Sequence, residues 1–308
     1  MNSIAFVFPG QGSQSVGMLA DLPEQYPIVA ETFAEASEVL GYDLWQLVQQ
    51  GPAETLNETD KTQPALLTAS VALYRAYAAS GKTLPTVMAG HSLGEYSALV
   101  CAGVLAFKDA VKLVELRGRL MQQAVPAGSG AMFAIIGLDN DTIANVCQES
   151  AQGEVVSPVN FNSPGQVVIA GEKAAVERAA AACKAAGAKM AVALPVSVPS
   201  HCALMQPAAE KLAAALAEIE FSMPAIHVIN NVDVACPQDV EAIKDALVRQ
   251  LHSPVRWTET VEKMAADGVT QLLEMGPGKV LTGLTKRINK SLTAQAVNTA
   301  AALAALTE

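Results

Sequence analysis

A serine flanked by two glycines carries the strongest chemical signal in this chain. Residues 90–94 read G-H-S-L-G, after an apolar run at 87–89 and before a helix-like stretch. A G-x-S-x-G motif between a strand and a helix is typical of a sharp turn that lifts the serine Oγ clear of a sheet. The backbone N–H of Leu93 then faces the point where an oxyanion would form. The motif predicts that Ser92 is an acyl-transfer nucleophile, and the alternative is an ordinary serine in a tight turn.

A serine hydroxyl needs a base within hydrogen-bond reach, and histidine suits best near neutral pH. The chain has four histidines, which are His91, His201, His227 and His252. His91 adjoins the serine and would point away across the turn, His227 lies in a strand-like run and is interpreted as structural, and His252 follows an apparent helix end. His201 lies in a loop, where rigid folds often carry catalytic groups. By elimination we predict that His201 is the base.

No carboxylate identifies itself as the group that would orient this histidine. Asp233 is a candidate, but nothing distinguishes it from a solvated loop carboxylate. The third member of a catalytic triad therefore stays unassigned from the residues alone.

One arginine falls on the apolar side of a predicted helix. With residues 107–123 as a helix, a step of about 100° per residue puts Arg117 in the middle of the apolar face. A buried guanidinium is costly without an anionic partner. It either forms a structural salt bridge or binds a substrate carboxylate through two parallel hydrogen bonds, and we favour the second reading.

The segment at residues 9–14, P-G-Q-G-S-Q, follows the first predicted strand at 4–8. As a phosphate loop it is weak, because it lacks the G-K-[ST] sequence. It is suited to supply a second oxyanion donor, since enzymes with this serine turn take one N–H from a separate loop.

Composition narrows the function classes. The chain has 308 residues, a net charge of −10, 51% hydrophobic and 16% charged residues. This charge argues against binding to nucleic acids or anionic lipids. No segment reaches the roughly 18 to 20 apolar residues of a membrane span. The N-terminus reads as a strand rather than a signal peptide, and five unpatterned cysteines predict free thiols in a reducing cytoplasm. No histidine has zinc-ligand spacing, so we expect no metal.

Strand-like runs alternate with helical patterns, which favours an α/β fold. The predicted buried strands lie at 4–8, 87–89, 226–229 and 272–275. The middle of the chain reads β-α-β-β-α-β, the ferredoxin-like unit. Its predicted elements are strand 132–136, helix 141–150, strands 155–160 and 166–170, helix 174–186 and strand 191–196. We therefore predict a hydrolase-like parallel-sheet domain, formed by 1–126 and 199–308, with a small ferredoxin-like domain inserted at 127–198.

The chain resembles the malonyl-CoA:acyl carrier protein transacylases of bacterial type II fatty acid synthesis. The resemblance rests on blocks between residues 8 and 278, which are FPGQGSQ at 8–14, TQPA at 62–65, GHSLGE at 90–95, RG at 117–118, NFN at 160–162, SH at 200–201 and GPG at 276–278.

This resemblance implies the site roles. Ser92 would carry the malonyl ester, and His201 would be the general base and acid. The N–H groups of Gln11 and Leu93 would form the oxyanion hole, and Arg117 would bind the malonyl carboxylate. The family orients its histidine with a backbone carbonyl, which here would belong to Gln250.

The implied reaction passes malonyl from malonyl-CoA to acyl carrier protein by a ping-pong mechanism, without a cofactor. Carrier proteins of this pathway are acidic, so we expect local positive charge at the docking surface. The candidates are Lys189, Lys279, Lys286, Arg287 and Lys290. We expect a cytoplasmic monomer. A serine thioesterase or hydrolase, a polyketide-type acyltransferase with another extender unit, and a non-catalytic docking module are the alternatives.

Overall fold

Strands and helices alternate along the chain in a computed structural model, which describes residues 3–196 and 198–307. The strands are β1 (Ser3–Phe8), β2 (Val87–Gly90), β3 (Gly130–Ile136), β4 (Val156–Ser163), β5 (Gln166–Glu172), β6 (Met190–Ala193), β7 (His227–Ile229), β8 (Val269–Met275) and β9 (Thr293–Val297). The helices are α1 (Pro27–Leu40), α2 (Leu44–Gln50), α3 (Ala53–Leu56), α4 (Thr59–Ala79), α5 (Leu93–Cys101), α6 (Phe107–Gln123), α7 (Asn140–Ala151), α8 (Lys173–Ala185), α9 (Gln206–Ala217), α10 (Val240–Gln250), α11 (Trp257–Ala266), α12 (Val280–Ile288) and α13 (Ala300–Thr307).

Five strands form a parallel sheet in the order β7-β2-β1-β8-β9. Side chains of β1 alternate between two buried clusters. Phe6 and Phe8 pack with the helices on one face, and Ala5 and Val7 pack with Trp257 on the other. Helices on both faces explain why β1 lacks polar alternation. The prediction of a parallel α/β domain is confirmed, although the edge strand β9 was not predicted.

Four strands form a second, antiparallel sheet in the order β4-β5-β3-β6. One face of this sheet packs against α7 and α8 through a separate apolar cluster, which includes Ile135, Ile143 and Val176. The element order β3-α7-β4-β5-α8-β6 is the predicted ferredoxin-like unit, and the fold class is confirmed.

Two predicted strand limits in this unit are wrong. The last strand ends at Ala193 rather than at residue 196, and Pro195 close behind it has no N–H for a ladder bond. Strand β4 continues past residue 160 to Ser163, and the left-handed Gly165 (φ 72°) turns the chain into β5. The predicted end of this strand, at residue 160, is too early because the residues that follow are mostly polar. Their backbone is nevertheless paired with β5.

Strand β4 of the small sheet is joined to the segment of the large unit just before α11. Val255 of the large unit donates its N–H to the Val159 carbonyl over 2.8 Å, and Phe161 donates to the Val255 carbonyl over 3.0 Å. The limits predicted for the inserted domain, 127 and 198, stay a prediction. The ranges they define include residues 1, 2, 197 and 308, which lie outside the described residues. Within residues 3–196 and 198–307, no helix has both the length and the apolar character to cross a membrane.

Candidate active site

The turn between β2 and α5 forces Ser92 into a conformation that L-residues rarely adopt, with φ 52° and ψ −109°. The flanking glycines permit this turn. A Cβ on Gly90 would lie 1.8 Å from the Gly94 carbonyl carbon, and one on Gly94 would lie 2.0 Å from the Phe8 carbonyl oxygen. Two backbone segments therefore pass too closely for any side chain, which is the physical reason for the G-x-S-x-G spacing.

An asparagine that was not predicted from the sequence forms hydrogen bonds to the backbone of this turn. Asn231, just after β7, accepts the Ser92 backbone N–H at Oδ1 over 2.7 Å. Its Nδ2 donates to the Gly90 carbonyl over 2.7 Å. Asn231 is fully buried, so both bonds are made away from water and strengthen the strained turn.

The predicted base lies against the predicted nucleophile. His201 Nε2 is 2.7 Å from Ser92 Oγ, and His201 Nδ1 is 2.7 Å from the backbone carbonyl of Gln250. A carbonyl oxygen only accepts, so Nδ1 carries the proton and Nε2 is free to accept from the serine hydroxyl. The geometry is that of a nucleophile, a base and an orienting group. Asp233, the carboxylate candidate, pairs instead with Arg249 over 2.8 Å.

Burial keeps this imidazole neutral. His201 is 3% exposed, and desolvation, followed by the nearby charge of Arg117, lowers the pKa of His201 to about 3. A neutral imidazole is the form that can accept a proton from Ser92 at neutral pH.

The other histidines lie elsewhere. His91 turns its ring toward the small sheet, where Nε2 is 2.8 Å from Asn162 Oδ1, and burial lowers the pKa of His91. His227 is exposed at the start of the edge strand β7, opposite Val87 and therefore at the other end of β2 from the turn. His252 is half-buried just after α10.

Arg117 is buried on the apolar face of α6, 1% exposed, as its position on the helix predicts. Its Nη2 donates to Gln250 Oε1 over 2.9 Å and to Ser92 Oγ over 3.3 Å. Its Nη1 donates to Gln63 Oε1 over 2.9 Å. In the described part of the chain no carboxylate pairs directly with this guanidinium, and its buried Nε has no hydrogen-bond partner. The guanidinium therefore contacts the Ser92 hydroxyl, and no carboxylate in the described part of the chain directly neutralises its positive charge.

A cleft of about 430 Å³ reaches Ser200, the residue before His201, although Ser92, His201 and Arg117 do not themselves line it. Residues of both units and of the loop before His201 line it: Gln11, Gly12, Gln14, Asn57, Met132, Asn160, Leu194, Pro195, Val196, Val198 and Ser200. The loop after β1 is packed onto the serine turn, because a Cβ on Gly10 would lie 2.5 Å from the His91 carbonyl oxygen. Gln11 is therefore the next residue after Gly10, which contacts the serine turn. Leu93 is the first residue of α5, and N–H groups in the first turn of a helix have no partner inside the helix.

The candidate docking residues lie on the surface of the protein. Lys189, Lys279, Lys286 and Lys290 are exposed, and so is Arg287. The latter also donates from Nη1 to Gln166 Oε1 over 2.6 Å, which connects α12 to the small sheet. Its guanidinium is therefore partly engaged, a contact that the sequence did not predict.

Across residues 3–196 and 198–307, no group of three or more His, Cys, Asp or Glu side chains is arranged to hold a metal ion. The five cysteines are free thiols, as predicted.

The fold and the site together define an enzyme of the acyl transferase class. The family described as "Acyl transferase domain" matches residues 5–307. Two solved structures superpose on the chain over 99% of both chains. They are an acyl carrier protein S-malonyltransferase from Vibrio cholerae, with 70% identity and a TM-score of 0.97, and a malonyl-transacylase in complex with its type II polyketide acyl-carrier protein, with 67% identity and a TM-score of 0.99.

Curated relatives show to which family within the acyl transferase class the chain is similar. The malonyl CoA-acyl carrier protein transacylase of Escherichia coli K12 is 70% identical over 308 residues, which cover 100% of both chains. The enzyme of the same name from Bacillus subtilis is 48% identical over 97% of this chain and 94% of its own. The chain belongs to the malonyl CoA-acyl carrier protein transacylase family, which confirms the resemblance drawn from its motifs.

Proposed function

We propose that this chain transfers a malonyl group from malonyl-CoA to the phosphopantetheine thiol of acyl carrier protein, through a malonyl ester on Ser92, in fatty acid biosynthesis. Relatives that match nearly the whole chain are named malonyl CoA-acyl carrier protein transacylase. One observation supports the mechanism most: Ser92 Oγ lies 2.7 Å from His201 Nε2 and 3.3 Å from Arg117 Nη2. The imidazole of His201 and the guanidinium of Arg117 therefore both contact the Ser92 hydroxyl oxygen.

In the first half-reaction Ser92 Oγ attacks the thioester carbonyl while His201 Nε2 takes the hydroxyl proton. The N–H groups of Gln11 and Leu93 stabilise the oxyanion of the tetrahedral intermediate. The C–S bond then breaks, and His201 returns the proton to the CoA sulfur. The Gln250 carbonyl holds the imidazolium through Nδ1–H, the role a carboxylate has in a triad.

The second half-reaction reverses these steps with another thiol. His201 takes the proton of the phosphopantetheine thiol, whose sulfur attacks the malonyl ester. When the C–O bond breaks, the proton passes back to Ser92 Oγ, and the free enzyme is restored. The chain's own residues supply every proton transfer, and the proposal includes no cofactor.

Arg117 selects the acyl group in this proposal. It is buried and bonded to two neutral amide oxygens, so the free carboxylate of a malonyl group is the anion it lacks. A planar guanidinium matches a carboxylate with two parallel hydrogen bonds. Neutral acyl groups would leave this cation unpaired.

The carrier protein docks, in this proposal, against the positive residues Lys189, Lys279, Lys286 and Arg287. The net charge of −10 would repel an acidic partner unless positive charge is concentrated locally. A relative of this chain has been solved in complex with an acyl-carrier protein, which supports such docking. We also propose a cytoplasmic monomer, with the small domain at 127–198.

The stability of the acyl-enzyme tests the transferase assignment. The isolated malonyl-enzyme should persist in buffer and lose its acyl group rapidly when pantetheine is added. S-methylated pantetheine is the matched control, because it keeps the pantetheine arm but has no thiol to attack the ester. Rapid decay in buffer alone would favour the hydrolase alternative, and equal loading from methylmalonyl-CoA would favour the polyketide-type one.

A further inference from the structure

A buried carboxylate that no step above uses lies one turn along α5 from the nucleophile. Glu95 is 2% exposed, and its Oε2 accepts two hydrogen bonds. One comes from the backbone N–H of Asn231 over 2.9 Å and the other from Gln250 Nε2 over 2.9 Å. Both partners contact the reaction centre, so this carboxylate lies directly behind it.

The side-chain amide of Gln250 connects Glu95 to Arg117. Its Nε2 donates to Glu95 and to the Ser92 carbonyl, over 2.9 and 3.1 Å, and its Oε1 accepts from Arg117 Nη2 over 2.9 Å. If the amide turned over, its Nε2 would face the guanidinium, donor against donor. Its Oε1 would face the carboxylate, acceptor against acceptor. An ionised carboxylate only accepts, so Glu95 permits a single orientation of the amide.

We propose that Glu95 is a positioning residue, which fixes the guanidinium of Arg117 for the substrate carboxylate through the side-chain amide of Gln250. This inference deepens the proposed function and rests on it. The Glu95 carboxylate is hydrogen-bonded to neither the Ser92 hydroxyl nor the His201 imidazole, and it acts through other residues.

The arrangement also explains how the cation is tolerated in the core. A direct ion pair with Glu95 would occupy the guanidinium that the substrate needs. With one neutral amide between them, the two charges attract each other and the guanidinium stays open. The charged groups that face Glu95 are Arg117 on α6, which favours its ionised form, and Asp233, which opposes it. Burial, to which Asp233 adds, outweighs Arg117 and the hydrogen bonds from Asn231 and Gln250, and raises the pKa of Glu95 to about 7.

Glu95 has a second contact that a test must separate from the first. Through the backbone N–H of Asn231 it also supports the serine turn, which every acyl substrate uses. Loss of that support lowers transfer of all acyl groups alike. Loss of the Gln250 contact lowers malonyl transfer specifically, so the ratio of malonyl to acetyl transfer isolates the proposed role.

The experiment measures Ser92 acylation by malonyl-CoA and by acetyl-CoA in Glu95→Ala and Glu95→Gln. In Glu95→Gln, the new amide oxygen can accept the two hydrogen bonds that Oε2 accepts in wild type. We expect Glu95→Ala to lower the malonyl-to-acetyl ratio at least about tenfold, as for a lost bond to a charged group. Glu95→Gln should keep the ratio within about threefold of wild type. Ile143→Ala, a core truncation on α7, is the control for lost stability alone and should leave the ratio unchanged.

A double-mutant cycle locates the effect. In an Arg117→Ala background, Glu95→Ala should not change the ratio further, because the group it positions is gone. An unchanged ratio in Glu95→Ala, or an equal further loss in the Arg117→Ala background, would overturn the proposal. If wild type forms no malonyl adduct at all, the proposed function fails, and that result is distinct from either outcome.

Discussion

The two sheets contribute differently to the cleft that they share. Three adjacent strands of the parallel sheet, in the order β7-β2-β1, each lead at their carboxyl ends into a site residue: Asn231, Ser92 and Gln11. The antiparallel sheet contributes Met132 and Asn160 to the cleft wall, and neither is a nucleophile or a base. Carboxyl ends of parallel strands meet at one edge, which is why open α/β sheets bind ligands there.

The parallel unit therefore carries the proposed reacting groups, and the small unit shapes the cleft that leads to them. The groups proposed to make and break bonds belong to the parallel unit or to the loop that returns to it. The small unit encloses the cleft and is tied to the parallel unit by side-chain contacts, His91 with Asn162 and Arg287 with Gln166. Changes at the parallel edge should therefore alter rates strongly, and changes at the contacts between units should have smaller effects.

Two histidines on either side of Ser92 in the site provide the largest expected contrast. His201→Ala should slow acylation of Ser92 by about 10² to 10⁴-fold, the range for a positioned general base. His91→Ala is the matched control, because it removes a half-buried imidazole that contacts the small sheet instead. Its loss should be far smaller in the same stopped-flow assay. The reverse order would move the base to the interface between the units.

Arg117→Ala should change selectivity rather than all transfer. Leaving the malonyl carboxylate unpaired in a buried site costs roughly 3 kcal/mol or more, about a hundredfold in rate. Acetyl transfer loses no such partner. The ratio of acylation rates with malonyl-CoA and acetyl-CoA should therefore fall about a hundredfold. Equal losses for both substrates would show that Arg117 has a structural role.

Charge reversal on α12 should have a smaller effect, confined to the carrier protein. Lys286→Glu with Arg287→Glu should raise the apparent KM for acyl carrier protein, and added salt should weaken wild-type transfer. Acylation by malonyl-CoA should change less. Arg287→Gln separates the loss of charge from the contact with Gln166. Unchanged carrier kinetics in the double variant would place docking on another surface.

The smallest expected effect is an absence of pH dependence. Because burial lowers the pKa of His201 to about 3, the imidazole stays neutral as the pH falls through 6.5, the ordinary histidine value. In Glu95→Gln, which lacks the carboxyl that titrates near 7, the acylation rate should therefore hold from pH 8 to about 5. A loss of rate with a midpoint near 6.5 would show that His201 is more solvated than the structure has it.

The sequence predicted the features that depend on local spacing. Glycines around Ser92, the apolar runs of β1 and β2 and the β-α-β-β-α-β order are all readable within short windows. The burial of Arg117 followed from helical periodicity, and its substrate role is a proposal. His201 was found by elimination, since only four histidines exist.

What the sequence did not predict depends on contacts between distant residues. Asn231 lies 139 positions from the N–H that it accepts, and Gln250 lies 155 from Glu95. Nothing local marks these side chains as buried or paired. A glutamate as the one charged residue in the stretch at 93–101 was a usable signal for Glu95, of the kind that identified Arg117. The strand β9 was missed because it lies at the sheet edge and carries polar residues.

The central claim, that Ser92 at the parallel edge carries the acyl group, is tested most directly by the mass of the intact protein after mixing with malonyl-CoA. Wild type should gain a single malonyl group, and Ser92→Ala should gain none under the same conditions. Peptide mapping should place the adduct on Ser92. An adduct that persists in Ser92→Ala, or one that maps to another residue, would contradict the account.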